Sequence, residues 1–247
     1  MQVNQLISVN ILLFAVVPVI LLLIGGMIVT WKKPTVALQS TILHFAAGVV
    51  FSVVAVELLP DMIRIHDTTA IIIGFTLGIS AMLVIKWYTA RLELKMGGSN
   101  DGKLLPWGML IAVGIDLLLD GLLLGIGFAA GSKEGTLLAL ALAMECLSLG
   151  LAVGTRLTKL GSSKSRLMRI LLIFGLVFLL GTAGGFFMLH FTGEKVLELV
   201  LSFGSAALLF LVTEELLVEA HEEKDSPFFT AAFFAGFLLF MVLGLII

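Results

Sequence analysis

Three acidic residues lie inside long apolar stretches of this sequence, where ionisable side chains are rare. Asp116 and Asp120 are four residues apart, and Glu145 follows in the next apolar stretch. A spacing of four places the two aspartates on one face of a helix. An ionisable group at the centre of a bilayer costs several kcal/mol, from about 2.5 upward, which makes it a functional candidate. No Lys, Arg or His is expected at this depth, so the three carboxylates must be protonated or share a cation.

A cluster of three carboxylates can bind a divalent cation. We expect Asp116, Asp120 and Glu145 to bind a single divalent cation together. Carboxylate-only sites favour hard cations such as Mn²⁺, Mg²⁺ or Ca²⁺. Cys146, next to Glu145, would add a soft ligand that favours Zn²⁺ or Cd²⁺, although it is also small enough to be a packing residue. The alternative is a protonated, hydrogen-bonded cluster that carries no ion. The metal would be a substrate, not a resident cofactor.

A second set of polar residues lies near the ends of two other apolar stretches. These residues could line the path of a cation to and from the central site, or each could be a solvated helix end. His44 is expected to be an interfacial side chain and not a ligand. The path residues are Glu57, Asp61, Glu215, Glu219 and His221.

The elements that must position these residues are membrane-spanning helices. Hydrophobic residues make up 60% of the 247 positions and charged residues 13%, against about 25% charged in soluble domains; the mean hydropathy is +1.16. A span needs about 20 apolar residues, and lipid favours the helix because it satisfies every backbone polar group. We predict eight helices, numbered in chain order: Gln5–Thr30, Val36–Leu59, Thr69–Ala90, Trp107–Ala130, Gly135–Leu157, Leu167–Phe191, Val196–Val218 and Phe228–Ile247.

The fold class is therefore all-α integral membrane, with residues 1–247 forming one transmembrane transporter domain. A net charge of −2 gives no indication of nucleic-acid binding, and the single cysteine excludes an internal disulfide. We find no nucleophile–base pair and no catalytic motif, so an enzyme is not expected. The expected partners are metal ions and the lipid bilayer. The oligomeric state stays open, with a homodimer as one option.

The basic residues predict which helix ends face the cytoplasm. Twelve of the fifteen Lys and Arg residues lie in or beside the connections that follow helices 1, 3, 5 and 7. The positive-inside rule therefore places both termini outside the cytoplasm. We expect the protein to lie in the cell (inner or plasma) membrane. The longest connection, Leu92–Lys103, contains a Gly-Gly-Ser-Asn run and is predicted to be a flexible loop. The remaining three basic residues are Arg64, Lys133 and Lys195.

Helices 2 and 7 end in similar sequences, Glu57-Leu58-Leu59-Pro60-Asp61 and Glu215-Leu216-Leu217-Val218-Glu219. The predicted topology places the first at the outer face and the second at the cytoplasmic face. Opposite orientation suggests an inverted repeat that relates helices 1–3 to helices 6–8 around helices 4–5, a common transporter plan. The similarity is equally consistent with acids that simply collect at membrane ends.

Several segments resemble the ZIP family of divalent metal transporters. FAAGVVFSVVAVELLPD (Phe45–Asp61) is similar to the family's second helix, VGIDLLLDGLLLGIGFAAG (Val113–Gly131) to its fourth and LALAMECLSLGLAVG (Leu140–Gly154) to its fifth, while TEELLVEAHEE resembles the end of its seventh. The resemblance covers most of the chain, from helix 2 to helix 8. It implies a ZIP-like fold of eight helices with both termini outside, and divalent metal transport through a site on helices 4 and 5.

The ligand positions depart from the family pattern. Glu57 stands where the second helix usually has His, and Asp116 and Glu145 stand at the His positions of the fourth and fifth helices. Asp120 keeps the family's acid, whereas Leu149 replaces the second ligand of the fifth helix. The resemblance therefore implies one metal bound by Asp116, Asp120 and Glu145, with too few ligands for a second.

The sequence as a whole predicts a carrier that moves a divalent cation toward the cytoplasm through a midplane carboxylate site by alternating access. Zinc is the substrate that the resemblance implies, and Mn, Fe, Cd or another divalent cation is compatible with the ligands. One alternative is a non-transporting ZIP-like protein that binds metal as a sensor or scaffold. Another is a carrier of protons or of an organic cation that uses the same acids.

Overall fold

The computed structural model describes residues 2–31, 34–65, 67–96, 107–190, 194–221 and 226–246, without the side chains of some residues near helix ends. Every regular element in these ranges is helical. Eight helices are long and apolar enough to cross a membrane, which confirms the predicted number of spans and indicates an integral membrane protein. Whether residues 1–247 are one transporter domain stays a prediction.

The observed helices begin and end within a few residues of the predicted ones. Helix 3 continues to Met96, so the first part of the predicted loop Leu92–Lys103 is helical, and positions 97–103 lie outside the described residues. The uninterrupted helices are helix 1 (Gln2–Trp31), helix 3 (Thr68–Met96), helix 4 (Trp107–Ala130), helix 5 (Ser132–Lys159), helix 6 (Lys164–His190) and helix 8 (Pro227–Ile246).

Helices 2 and 7 are each interrupted by one π-helical turn. Helix 2 consists of Val36–Val53, the π turn Val54–Leu58 and Leu59–Ile65; helix 7 consists of Glu194–Leu211, the π turn Val212–Leu216 and Leu217–Ala220. π turns are rare and occur mostly at functional sites. Both turns contain an acid of the predicted path, so they bear directly on the site.

The helices pack most extensively in four pairs: helix 1 with helix 5, helix 4 with helix 6, helix 2 with helix 8, and helix 3 with helix 7. Glycines allow the backbones to approach closely at these crossings. A Cβ atom on Gly121 of helix 4 would collide with the carbonyl of Phe178 in helix 6, and one on Gly150 of helix 5 would collide with the carbonyl of Leu22 in helix 1. Helices 4 and 5, which carry the three central acids, are thus each held rigidly against a neighbour.

Side-chain contacts fix the directions of the inner helices. Ser40, near the start of helix 2, donates a 2.9 Å hydrogen bond to the carbonyl of Ala220 at the end of helix 7. Gln39 of helix 2 reaches Thr155 near the end of helix 5, and Lys86 of helix 3 pairs with Glu214 of helix 7. Shared cavities join the starts of helices 4 and 6 to each other and the start of helix 8 to the end of helix 7. Helices 2, 4, 6 and 8 therefore begin at the end of the bundle where helices 3, 5 and 7 finish. We call it the basic end, after Lys86, Arg91, Arg156, Lys159, Lys164, Arg166 and Arg169.

Burial divides the bundle into a centre and a periphery. Helices 2, 5 and 7 are more than half buried within their spans, whereas helices 3 and 8 are mostly exposed. The hydrophobic core lies among the central helices and helix 4 and includes Leu117, Leu142 and Leu208. Asp120 and Glu145 therefore lie in the buried centre of the molecule.

Candidate metal centre

The three central acids come together between helices 4 and 5. These helices are joined by Gly131 alone, and the middle turns of each therefore lie side by side. One carboxylate oxygen from each of Asp116, Asp120 and Glu145 lies within 4.8 Å of the other two. Asp120 is fully buried, Glu145 is 2% exposed and Asp116 is half-buried. The predicted convergence is thus present, and the binding of metal by the cluster stays a prediction.

The innermost oxygens of this cluster have no hydrogen-bond partner among the described residues. They are both carboxylate oxygens of Asp120 and Oε2 of Glu145. Buried polar atoms are almost always paired with protein or water, so an unpaired buried carboxylate requires an explanation. A cation shared by the three groups would provide one, because each oxygen could then act as a ligand.

The repulsion within the cluster is large if all three groups are ionised. At 4.8 Å and an effective dielectric constant of about 20, two carboxylates repel each other by about 3.5 kcal/mol. Three such pairs cost about 10 kcal/mol, which is comparable with the folding free energy of a whole domain, about 5–15 kcal/mol. The ionised cluster therefore needs a counter-charge of at least one cation.

A fourth acid lies near the cluster, in the π turn of helix 7. The side chain of Glu215 lines the same cavity as Asp116. We predicted that Glu215 lines the path of a cation near the end of helix 7, and this role stays a prediction. The π turn accommodates an extra residue and changes the direction in which side chains leave the helix, which a sequence pattern of period 3.6 does not reveal.

One basic residue lies closer to the acids than the sequence indicated. Lys86 lines the same cavity as Asp116, but its Nζ atom pairs with Oε2 of Glu214 at 2.6 Å and also hydrogen-bonds the Glu214 carbonyl at 3.3 Å. Among the described residues, Lys86 forms no salt bridge with the three central acids. The positive charge of Lys86 is therefore compensated largely by Glu214 and not by the three central acids.

A cavity of about 270 Å³ connects the basic end with the cluster. It lies between helices 3, 4 and 7, and its polar lining includes Asp116, Glu215 and Glu219. A smaller cavity of about 60 Å³ lies between helices 2, 5 and 7. It shares Glu219 with the first cavity, and Ser148 also lines it. An ion that enters from the basic end would therefore meet Glu219 before it reaches Asp116.

The opposite end of the bundle has an ion pair between helices 2 and 5. Oε2 of Glu57, in the π turn of helix 2, lies 3.3 Å from Nζ of Lys133 at the start of helix 5. Glu57 is 9% exposed. The side chain of Asp61, its predicted partner in the path, lies outside the described residues. Glu57 thus links helices 2 and 5 on the side of the cluster away from Glu215.

Two histidines meet at the basic end. The rings of His44 and His221 have centroids 5.0 Å apart, and Phe229 stacks on His44 at 5.4 Å. Both histidines line a cavity of about 500 Å³ beside the start of helix 8. His44 is 5% exposed, because His221 at the end of helix 7 and Phe229 at the start of helix 8 cover this part of helix 2. Whether His44 lies at the membrane interface stays a prediction.

Both histidines donate a hydrogen bond from Nδ1 to a backbone carbonyl. Nδ1 of His44 lies 2.8 Å from the carbonyl oxygen of Ser40, and Nδ1 of His221 lies 2.6 Å from that of Leu217. A backbone carbonyl only accepts, so Nδ1 carries a proton in both rings. This arrangement is the usual one in histidines that ligate metal through Nε2.

Cys146 is buried in the hydrophobic core at 1% exposure. Its sulfur is not among the ligand atoms that approach one another within 4.8 Å in the described part of the chain. The structure therefore favours the packing interpretation of Cys146 over the ligand interpretation.

No protein-family model matches this chain, and no curated protein matches it either. The similarity to ZIP transporters thus rests on the segments quoted above.

Proposed function

We propose that this protein is a carrier of divalent metal cations with its central site at Asp116, Asp120 and Glu145. The observation that supports this most strongly is the fully buried Asp120, whose two oxygens have no hydrogen-bond partner among the described residues while two more carboxylates lie within 4.8 Å. A protonated, ion-free cluster would be expected to satisfy its buried oxygens by hydrogen bonds within the cluster or with its neighbours.

The arrangement of cavities fits one state of an alternating-access cycle. The cluster is reached from the basic end through the cavity that contains Glu215 and Glu219, while Glu57 and Lys133 hold helices 2 and 5 together at the opposite end. The positive-inside rule makes the basic end cytoplasmic. We therefore propose that this state is inward-facing and that metal leaves toward the cytoplasm through the larger cavity.

An inverted repeat of helices 1–3 and 6–8 around helices 4–5 would explain how the protein reaches the outward-facing state of the cycle. Two features support it. The π turns VAVEL of helix 2 and VTEEL of helix 7 occupy equivalent places and contain equivalent acids, Glu57 and Glu215. The packing is also matched, because helix 1 packs on helix 5 as helix 6 packs on helix 4, and helix 2 packs on helix 8 as helix 7 packs on helix 3. Repeats of this kind allow one half to adopt the arrangement of the other.

Membership of the ZIP family is part of the proposal. Its support is the sequence resemblance, the eight helices and the location of the acids on helices 4 and 5. The central ligands are all carboxylates, which suits Mn²⁺ as well as Zn²⁺. The histidine pair at the basic end favours borderline metals such as Zn²⁺, Fe²⁺ or Cd²⁺ over Mg²⁺ and Ca²⁺, since imidazole binds the latter poorly.

Transport by purified protein in liposomes that contain a metal-sensitive dye tests this function. We expect uptake of Zn²⁺, Mn²⁺ or Cd²⁺ by the parent protein and little uptake by Asp120→Asn, which keeps the size of the side chain. Glu134→Gln is the matched control, because it removes an acid at the start of helix 5, outside the cluster. Binding of metal without uptake in the parent would instead support the non-transporting sensor or scaffold.

A further inference from the structure

A groove of about 370 Å³ separates the first turns of helices 4 and 6 at the basic end. Arg166 and Arg169 line it from helix 6, and their spacing of three places them on the same face of that helix. Both arginines are exposed. None of the described residues that line the groove is acidic. The groove therefore carries two positive charges with no compensating carboxylate in its described lining.

The rest of the groove is apolar. Leu110 and Ile111 of helix 4 face Ile173 and Phe174 of helix 6, and Trp107 is at the start of helix 4. Tryptophan is enriched at the boundary between lipid headgroups and acyl chains. The arginines lie near the start of helix 6, whereas Ile173 and Phe174 lie one to two turns further in. The groove is thus cationic near the membrane surface and apolar toward the interior.

We propose that this groove binds an anionic phospholipid, with the headgroup phosphate at Arg166 and Arg169 and an acyl chain along Leu110, Ile173 and Phe174. Guanidinium groups bind phosphate through paired hydrogen bonds. Basic pockets between spanning helices select anionic headgroups for the same reason. Neither arginine forms a salt bridge with a carboxylate in the described part of the chain. Arg169 donates from Nε to the carbonyl of Ser165 at 3.4 Å, which leaves its terminal N–H groups, like those of Arg166, to bind a phosphate.

The bound lipid would contact the helices that support the central acids. Phe174 lies 3.7 Å from the position that a Cβ atom on Gly114 would occupy, and Gly114 precedes Asp116 by two residues. Lipid in the groove would therefore stabilise the packing of helix 4 on helix 6. This inference does not depend on metal transport, because it requires only that the bundle lies in a bilayer.

Quenching of Trp107 by brominated lipids tests the proposal. In a Trp31→Phe/Trp87→Phe background, Trp107 is the remaining tryptophan of the three. Brominated phosphatidylglycerol should quench it at a mole fraction at least roughly tenfold lower than brominated phosphatidylcholine does. Arg166→Gln/Arg169→Gln should abolish this difference. Arg156→Gln/Lys159→Gln removes the same number of charges from the same end, outside the groove, and should retain it.

Three results would overturn the proposal: equal quenching by the two lipids, equal loss of selectivity in the two double variants, or loss of selectivity on addition of inorganic phosphate. The second would mean that the basic end attracts anionic lipid generally, and the third that the groove recognises phosphate without the acyl chain. Circular dichroism of each variant shows that the helices are intact.

Discussion

At the scale of single residues, the four acids near the centre differ in their exposure. Asp116 is half-buried and lines the larger cavity, whereas Asp120 and Glu145 are buried behind it. Glu215 lines the same cavity as Asp116. A cation from the basic end would therefore contact Glu215 and Asp116 first, and would be fully coordinated only when it also contacts Asp120 and Glu145.

Glu215 and Glu219 should differ in their effect on metal binding, although both lie in the same cavity. Glu215→Gln should reduce affinity roughly tenfold or more, since Glu215 shares a cavity with Asp116 and loss of a group that supports a ligand typically costs 10- to 100-fold. Glu219→Gln should slow transport and change affinity little, because Glu219 is exposed. Equal affinities for parent and Glu215→Gln in calorimetric titrations would contradict the contribution of Glu215 to the central site.

Metal binding should weaken as the pH falls. Carboxylates must be deprotonated to coordinate a metal, so protons and metal compete for the same oxygens. Binding at constant pH should therefore release protons, which calorimetry detects as a dependence of the heat on the ionisation enthalpy of the buffer. Affinities that do not change between pH 7.5 and pH 5.5, with no proton release, would show that the metal is held elsewhere.

At the scale of helices, the sequence was sufficient for some features of the site and not for others. The spacing of Asp116 and Asp120 and the short link before helix 5 predicted the central cluster, because both follow from helix geometry. The contribution of Glu215 could not be predicted, since it depends on a π turn. The burial of His44 depends on where the end of helix 7 and the start of helix 8 lie in space, and these contacts have no local sequence pattern.

The ion pair of Glu57 and Lys133 should control access from the end opposite the basic end. Lys133→Gln should weaken the contact between helices 2 and 5 and increase the fraction of molecules open at that end. Ser52, on the central side of Glu57 in helix 2, is 1% exposed. A cysteine in its place should react with a thiol reagent added at that end roughly tenfold faster in Lys133→Gln than in the protein that keeps Lys133. A roughly tenfold change corresponds to a shift of about 1.4 kcal/mol in the equilibrium between the closed and open forms.

Arg91→Gln is the control for this experiment, since Arg91 lies at the basic end against the ring of Trp87. Both variants should be made in a Cys146→Ser background. If the Ser52→Cys side chain reacts at the same rate in Lys133→Gln and Arg91→Gln, the ion pair does not close that end of the molecule.

At the scale of the whole molecule, the two ends of the bundle are not equivalent. The basic end contains the cavities that reach Asp116 and the histidine pair, and the opposite end contains the ion pair of Glu57 and Lys133. The mostly exposed helices 3 and 8 flank a buried centre formed by helices 2, 5 and 7. This division is consistent with a moving group of helices around a central site, as alternating access requires.

The orientation in the membrane is tested by reaction of single introduced cysteines with an impermeant reagent. Ser132→Cys at the start of helix 5 and Ser163→Cys before helix 6 are matched changes at exposed positions on opposite ends. In intact cells, Ser132→Cys should react and Ser163→Cys should react only after the membrane is made permeable. The reverse pattern would place the basic end outside and would reverse the proposed direction of transport.

The most direct test of the central claim is the metal stoichiometry of the purified protein, measured by calorimetry for the parent, Asp120→Asn and the control Glu134→Gln. We expect the parent and Glu134→Gln to bind one metal per chain at the central carboxylates with the same affinity. Asp120→Asn should bind the metal roughly 100-fold more weakly or not at all, because the substitution removes both a charge and a ligand. Unchanged affinity in Asp120→Asn, or metal bound solely near the ends of helices 2 and 7, would show that Asp116, Asp120 and Glu145 are not the site.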